Sequence, residues 1–442
     1  MSAPARETAL RVLIACRVNG AWADAALKAH LSRDGLSGPD AALCSRIVYG
    51  VLQNQLLLDF YITAFCSQKP EHLQPPLLDI LRIGAYQILF LDKVPDSAAV
   101  NTSVELAKTA KRGQAAGLVN AVLRRLARSR GALPPIPERD EVRYLSTLYS
   151  HPRWLVKRIL PLLGREETEL LLAANNSQPP AAAQVNTCRT TAERLFEELQ
   201  AAGVGAERHP WLPDCLLLSG TGNLERLDAF QRGAFYIQDV AARLAVLALD
   251  VRPGERLLDV CAAPGGKSFA AAIAMGDRGE ILACDLHESK LKRIREGAER
   301  LGLACIETSA ADGRVFHPEW AAGFDAVLVD APCSGLGIIR KKPDTRYKKP
   351  DSLFTLPVVQ HDILDSAAAY VKPGGVLVYS TCTFLPEENG QVVDTFLSEH
   401  PAFSREMFRL PPPLGEAPGE VTLWPHRHGT DGFYICRMRR QA

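Results

Sequence analysis

Residues 330–335 read Asp-Ala-Pro-Cys-Ser-Gly and residues 380–383 read Ser-Thr-Cys-Thr, which places Cys333 and Cys382 49 positions apart, each behind an apolar run (DAVLVD and GVLVYS). A cysteine where an apolar strand ends, beside a ligand loop, is a candidate nucleophile rather than core packing. A thiolate is the side chain suited to reversible addition to carbon six of a cytosine ring, which turns the ring into an enamine and makes carbon five nucleophilic. An acid at ring nitrogen three must then stabilise the charge that develops, and Asp330 is the candidate. The residues by themselves do not rank the two cysteines.

A second constellation precedes this pair. Residues 257–268 read LLDVCAAPGGKS, whose ending, Gly266-Lys267-Ser268, is that of a phosphate-binding P-loop. A P-loop also requires a glycine five positions before Gly266, where Cys261 stands. The loop from Cys261 through Ala262, Ala263, Pro264, Gly265 and Gly266 to Lys267 allows close approach of backbone amides to a ligand. Asp285 follows 26 residues after Asp259, where Rossmann-like folds place the carboxylate that accepts ribose hydroxyls. Asp312, in SAADGR, is placed to reach an adenine edge. Acids in this order favour an adenosyl ligand without a triphosphate.

The elements that must position these residues are regular from about Gly254. RLLDVC, EILACD, DAVLVD and GVLVYS are apolar along their whole length and alternate with the amphipathic helical segments KSFAAAIAM and ESKLKRIREGAERL. That pattern predicts a parallel sheet covered on both faces, whose ligands lie beyond the carboxyl ends of its strands. Residues 5–130 carry helical spacing throughout, with Pro75 and Pro76 where a new helix would start. GALPPIPERD reads as a linker, and a smaller mixed segment follows, with strands near Ala183 and Cys215 around a helix at Ala192–Ala202.

With 442 residues, 47% hydrophobic and 23% charged, the chain has material for two or three domains. It lacks an apolar run long enough for a membrane span and a basic-then-apolar start. Its eleven cysteines are scattered, without a CxxC pair or zinc-ligand spacing, so a reducing cytoplasm and no metal are expected. The net charge is only +1, but it is unevenly distributed. Lys108, Lys111, Arg112, Arg124, Arg125, Arg128 and Arg130 face Glu105 alone, a local +6; Arg340 to Lys349 carries a local +5; Arg437, Arg439 and Arg440 close the chain. Three basic clusters lean towards a polyanion partner, with stretches 108–130 and 340–349 expected to contact phosphates.

DVCAAPGGKS, DAPCSG and STCTF in this order resemble the RNA cytosine carbon-five methyltransferases that use S-adenosyl-L-methionine. LRIGAYQILFLDKVPDSAAVNTSVELAK and GLVNAVLRRLAR are similar to the helical RNA-binding domain of the antitermination factor NusB. Together with HPRWLVKRI, GAFYIQDVAARLA and TDGFYICRMRR, the layout resembles the bacterial ribosomal RNA small subunit methyltransferase B family, also called Fmu or Sun. The resemblance implies a NusB-like helical bundle over 1–138, a small α/β connector over 139–232 and a Rossmann-like methyltransferase domain over 233–442 with a mostly parallel seven-stranded sheet, one strand antiparallel. It implies S-adenosyl-L-methionine held by residues 261–267, Asp285, Asp312 and Asp330. It implies Cys382 as nucleophile and Cys333 as the residue aiding product release. The expected partner is 16S rRNA before full subunit assembly, with the protein a monomer. The rival readings are the same chemistry on another RNA, such as tRNA, and a non-catalytic assembly factor.

Overall fold

The computed structural model describes residues 4–66, 68, 72–110, 112–348 and 353–442. Lys111 and Lys349 of the basic stretches lie outside the described residues. By its internal contacts the chain divides into two compact units, one of residues 1–177 with 339–348 and one of residues 178–338 with 349–442.

The first unit is helical: α1 (Pro4–Asn19), α2 (Ala23–Arg33), α3 (Gly38–Gln53), α4 (Gln55–Phe65), α5 (Pro75–Phe90), α6 (Asp96–Thr109), α7 (Ala116–Arg128), α8 (Glu141–Leu148) and α9 (Arg153–Asn175), the last broken at Gly164. Pro75 and Pro76 do open α5, since an N-terminal turn needs no proline N–H. Ile47, Leu58, Ile80, Ile83 and Leu123 come from four different helices and are fully buried in one core. Within it Arg82 pairs with Asp59 (2.7 Å) and Asp79 (3.2 Å), and Arg17 caps the other Asp79 oxygen (2.8 Å), so the buried charges are compensated.

The second unit begins with β1 (Ala181–Val185), α10 (Ala192–Ala201), β2 (Gly205–Arg208), β3 (Cys215–Ser219), the short α11 (Asp228–Gln231) and β4 (Phe235–Ile237), an antiparallel sheet in the order β2-β3-β1-β4. Next come α12 (Val240–Leu249), β5 (Arg256–Asp259), α13 (Gly266–Ala274), β6 (Glu280–Asp285), α14 (Glu288–Leu301), β7 (Ile306–Ala310) and β8 (Phe324–Asp330). The chain continues through α15 (Leu356–Ala368), β9 (Val371–Thr381), α16 (Gly390–Glu399), β10 (Phe403–Arg405), β11 (Phe408–Arg409), β12 (Glu416–Ala417), β13 (Glu420–Leu423), α17 (Pro425–His428) and β14 (Phe433–Arg440).

The large sheet runs β10-β14-β9-β8-β5-β6-β7, with β13 added as an eighth strand on β14. Strands β7, β6, β5, β8 and β9 are parallel, and β14 runs against all its neighbours. The fold is thus the expected mostly parallel α/β sheet with one reversed strand, widened by β13. Alternate residues feed two cores: Leu257, Leu328 and Val378 on one face, Leu258, Val329 and Tyr379 on the other. Burial on both faces is why these strands read as unbroken apolar runs.

Two of the three basic clusters have structural work. Arg437 is buried against Glu406 and the Ala248 carbonyl, while Arg439 and Arg440 donate to the Gly374 and Val371 carbonyls. The expectation that 340–349 contacts phosphates does not hold for Arg346. Arg346 is fully buried in the helical unit and donates to the Gln53 and Ser150 carbonyls (3.0 Å each) and Asn176 Oδ1 (2.9 Å). Burial pulls its guanidinium down to about 10. His151, fully buried, is held well below its ordinary value by burial and by the charge of Arg346. Tyr347 donates to the Leu52 carbonyl (2.9 Å), and Asp344 accepts the Ala23 N–H (3.0 Å). A stretch whose charge suggested a polyanion partner is a strap bonded to the helices. The α7 cluster differs: Arg124, Arg125 and Arg128 are exposed.

Candidate active site

Strand register brings the two cysteine motifs together. Asp330, the last residue of β8, is the direct partner of Ser380 on β9, and the Ala331 N–H donates to the Ser380 carbonyl (2.9 Å). Both loops therefore leave the sheet at the same height, and Cys333 Sγ lies 3.2 Å from Cys382 Sγ. Beyond them, the Gly337 N–H donates to the Cys382 carbonyl (2.9 Å) and the Gly432 N–H to the Gly337 carbonyl (2.8 Å). A Cβ on Gly337 would lie 1.9 Å from the Gly432 carbonyl oxygen, so this three-loop crossing needs glycine.

Asp330 accepts from Lys267 Nζ (2.6 Å) and from Ser380 Oγ (2.8 Å). Lys267 also lies over the Phe433 ring at 5.2 Å. Burial works against its charge, but the charge and hydrogen bond of Asp330 outweigh burial and raise it. The sequence reading assigned Lys267 to the cofactor loop only; its partnership with Asp330, 63 residues on, carries no local signal.

The Cys333 thiol is pushed well above its ordinary value, first by its hydrogen bond with Cys382, then by burial, and then by the charges of Cys382 and Glu388. Glu388 was also not anticipated. It is buried at 1% exposure, and its Oε2 accepts the Ser334 N–H (2.8 Å) and Gln360 Nε2 (3.1 Å).

The other predicted residues line the carboxyl edge of the same sheet. The loop 260–265 links β5 to α13. Gly265, with φ 105°, permits the turn, and its missing Cβ leaves room for Phe269, which would otherwise lie at 2.6 Å. The N-cap of helix α13 is Gly265, and among the described residues no side chain caps its first N–H groups. Asp259 is fully buried; Oδ2 accepts from Ser268 (2.7 Å), and Oδ1 has no hydrogen-bond partner among the described residues. Burial raises its carboxyl to about 7 despite the Ser268 bond. Asp285 ends β6, accepts the His287 N–H (3.1 Å) and lies 3.2 Å from Lys290 Nζ. Asp312 lies just past β7, with both oxygens taken by Arg314 (3.0 and 2.6 Å), which holds its carboxyl below the usual range. Cys261 is pushed up, mainly by burial and then by Asp259. An uncapped helix start suits a ligand's carboxylate, while an unpartnered buried carboxylate oxygen and a strand-end aspartate suit cationic and hydroxyl groups, as on an adenosyl sulfonium ligand; a triphosphate beside Asp259, Asp285 and Asp330 would meet like charge.

Comparison with known proteins decides the family. The 16S rRNA methyltransferase RsmB/F family model matches residues 246–439, the NusB family model residues 3–128, and the RsmF/B-like ferredoxin-like domain residues 151–225. The chain is 39% identical over 449 residues to the probable ribosomal RNA small subunit methyltransferase B of Bacillus subtilis, covering 99% of each. The chain belongs to the ribosomal RNA small subunit methyltransferase B family. It is also 34% identical over 406 residues to ribosomal RNA small subunit methyltransferase B of Klebsiella pneumoniae, covering 91% of each. Among solved structures, that of PH0851 matches with a TM-score of 0.81 at 29% identity, over 98% of this chain and 99% of the other. As a member of this family the chain is an rRNA methyltransferase with a NusB-like helical region. Among the described residues no helix is long and apolar enough to cross a membrane.

Proposed function

We propose that the protein methylates carbon five of a specific cytosine in 16S rRNA through a covalent adduct between Cys382 and carbon six. The observation that carries this reading is the thiol pair at 3.2 Å beside Asp330 and Lys267. Two thiols in hydrogen-bond contact can share one proton, leaving one sulfur as the nucleophile. Family resemblance names Cys382 for that role.

When bound, S-adenosyl-L-methionine supplies the methyl group. The residues that would hold it are 261–267, Asp285, Asp312 and Asp330. As the Cys382 thiolate forms its bond to carbon six, negative charge moves onto the ring at nitrogen three. The Asp330–Lys267 pair meets that charge with a proton held between carboxylate and ammonium. Bond formation also removes the Cys382 hydrogen bond, the largest of the causes that hold up the Cys333 thiol. Cys333 can then lose its proton to solvent and accept the proton from carbon five, after which Cys382 leaves carbon six.

Around this centre we assign residues 1–138 to RNA binding, 139–232 to a connector and 233–442 to methyl transfer. The exposed arginines of α7 are the phosphate contacts. The protein acts as a cytoplasmic monomer on rRNA not yet fully assembled. Bisulfite sequencing of small-subunit rRNA from a deletion strain tests the reading: one cytosine should lose its methyl mark and regain it on complementation. No lost mark in 16S rRNA, or a lost mark in tRNA, would overturn it.

A further inference from the structure

The two cysteine loops are tied by a buried polar cluster outside the reacting groups. Ser334 Oγ, next to Cys333, donates to Thr383 Oγ1, next to Cys382, at 2.9 Å. Asn389 Nδ2 donates to the Thr383 carbonyl (3.1 Å), and Thr381 Oγ1 donates to Asn389 Oδ1 (2.6 Å). Tyr379 Oη donates to the Glu388 carbonyl (2.6 Å). Ser334, Thr381, Thr383, Glu388 and Asn389 are each no more than 3% exposed. At the centre is the Glu388 carboxylate, whose Oε1 has no hydrogen-bond partner among the described residues. A buried carboxylate held by only two donors on one oxygen is costly, and a neutral side chain could accept the same Ser334 N–H.

The electrostatics of the pair are lopsided. Glu388 reaches the Cys333 loop through the Ser334 N–H (2.8 Å), and its charge is among the causes that raise the Cys333 thiol. Asp330, bonded to Lys267, and the buried Tyr379, whose hydroxyl is raised by burial and then by the charge of Cys333, are further titratable groups near the pair. A negative charge beside one of two thiols sharing a proton places the proton on that thiol. We propose that Glu388 is a positioning residue for the thiol pair: its carboxylate clamps the Cys333 loop through Ser334, and its charge opposes ionisation of Cys333. This rests on the proposed roles of the two cysteines, but its test needs no RNA.

The test is the pH dependence of iodoacetamide alkylation of Cys333, read by peptide mass spectrometry in a Cys382→Ala background so that Cys333 titrates alone. With Glu388→Gln the midpoint should fall by half a pH unit or more, so alkylation at about pH 8 becomes roughly threefold faster. Gln360→Met removes a donor that stabilises the charged carboxylate, and also the bond to the Pro332 carbonyl, at nearly constant volume, and should move the midpoint the same way by less. An unmoved midpoint in whichever of these variants keeps the parent's melting temperature overturns the proposal. A shifted midpoint together with no cytosine methylation by the unmodified protein would leave Glu388 in place and remove the cytosine reading instead.

Discussion

Lys267 lies in the first turn of helix α13 and Asp330 ends strand β8, yet the ammonium and the carboxylate meet at 2.6 Å. The contact joins the loop after the first parallel strand to the strand that delivers Cys333. In a double-mutant cycle with Lys267→Ala and Asp330→Ala, thermal unfolding should give a coupling of about 1–2 kcal/mol, since both groups are partly buried and charged. Additive losses would mean that the contact is incidental.

The cofactor prediction concerns Asp285. Asp285→Ala should weaken S-adenosyl-L-methionine binding by about 1.5–3 kcal/mol, the range for a hydrogen bond to a charged group, in titration calorimetry. Magnesium-ATP should give no stoichiometric heat. Tight ATP binding with unchanged cofactor affinity would return the P-loop reading.

The basic residues divide by burial. Replacing Arg124, Arg125 and Arg128 with alanine should flatten the log-affinity against log-salt slope for single-stranded RNA by about 0.7 per lost contact. Arg346→Ala should leave that slope unchanged and lower the unfolding free energy by about 3 kcal/mol or more, because several buried acceptors lose their donor. The reverse pattern would assign phosphate binding to the strap.

Much of this was legible before the fold. The strand ends carrying Asp285, Asp330 and the two cysteine motifs follow from continuous apolar runs, because a strand buried on both faces has no alternation to misread. What could not be read is what register and long-range contact decide. Asp330 faces Ser380 because β8 and β9 are neighbours, a pairing that local sequence does not encode. Glu388 looks like one of two surface acids in LPEENG until the Ser334 amide is found on it. Arg346 and Arg437 are the opposite case: charge suggested a polyanion partner, but the Arg346 guanidinium satisfies several buried acceptors and that of Arg437 the Ala248 carbonyl and Glu406.

Asp259 gives a pH prediction. Its folded-state carboxyl, at about 7, lies above its ordinary value, so the folded protein binds the proton more tightly than the unfolded chain. This contribution is complete below about pH 4 and is lost as pH rises through 7. Ligand-free protein should therefore lose stability between pH 4 and 7 by an amount on the order of a few kcal/mol, and Asp259→Asn should flatten that slope in chemical denaturation. An equal slope in both proteins would show that Asp259 titrates normally.

The central claim is the division of labour between the two sulfurs, and adduct trapping tests it most directly. Each variant is mixed with substrate RNA and S-adenosyl-L-methionine and run on a denaturing gel. Cys382→Ala should bind both ligands but give neither methylation nor a covalent band. Cys333→Ala should still attack carbon six and accumulate a protein–RNA adduct that survives denaturation, since the release step is impaired. An adduct that accumulates with Cys382→Ala and not with Cys333→Ala would contradict the assignment and make Cys333 the nucleophile.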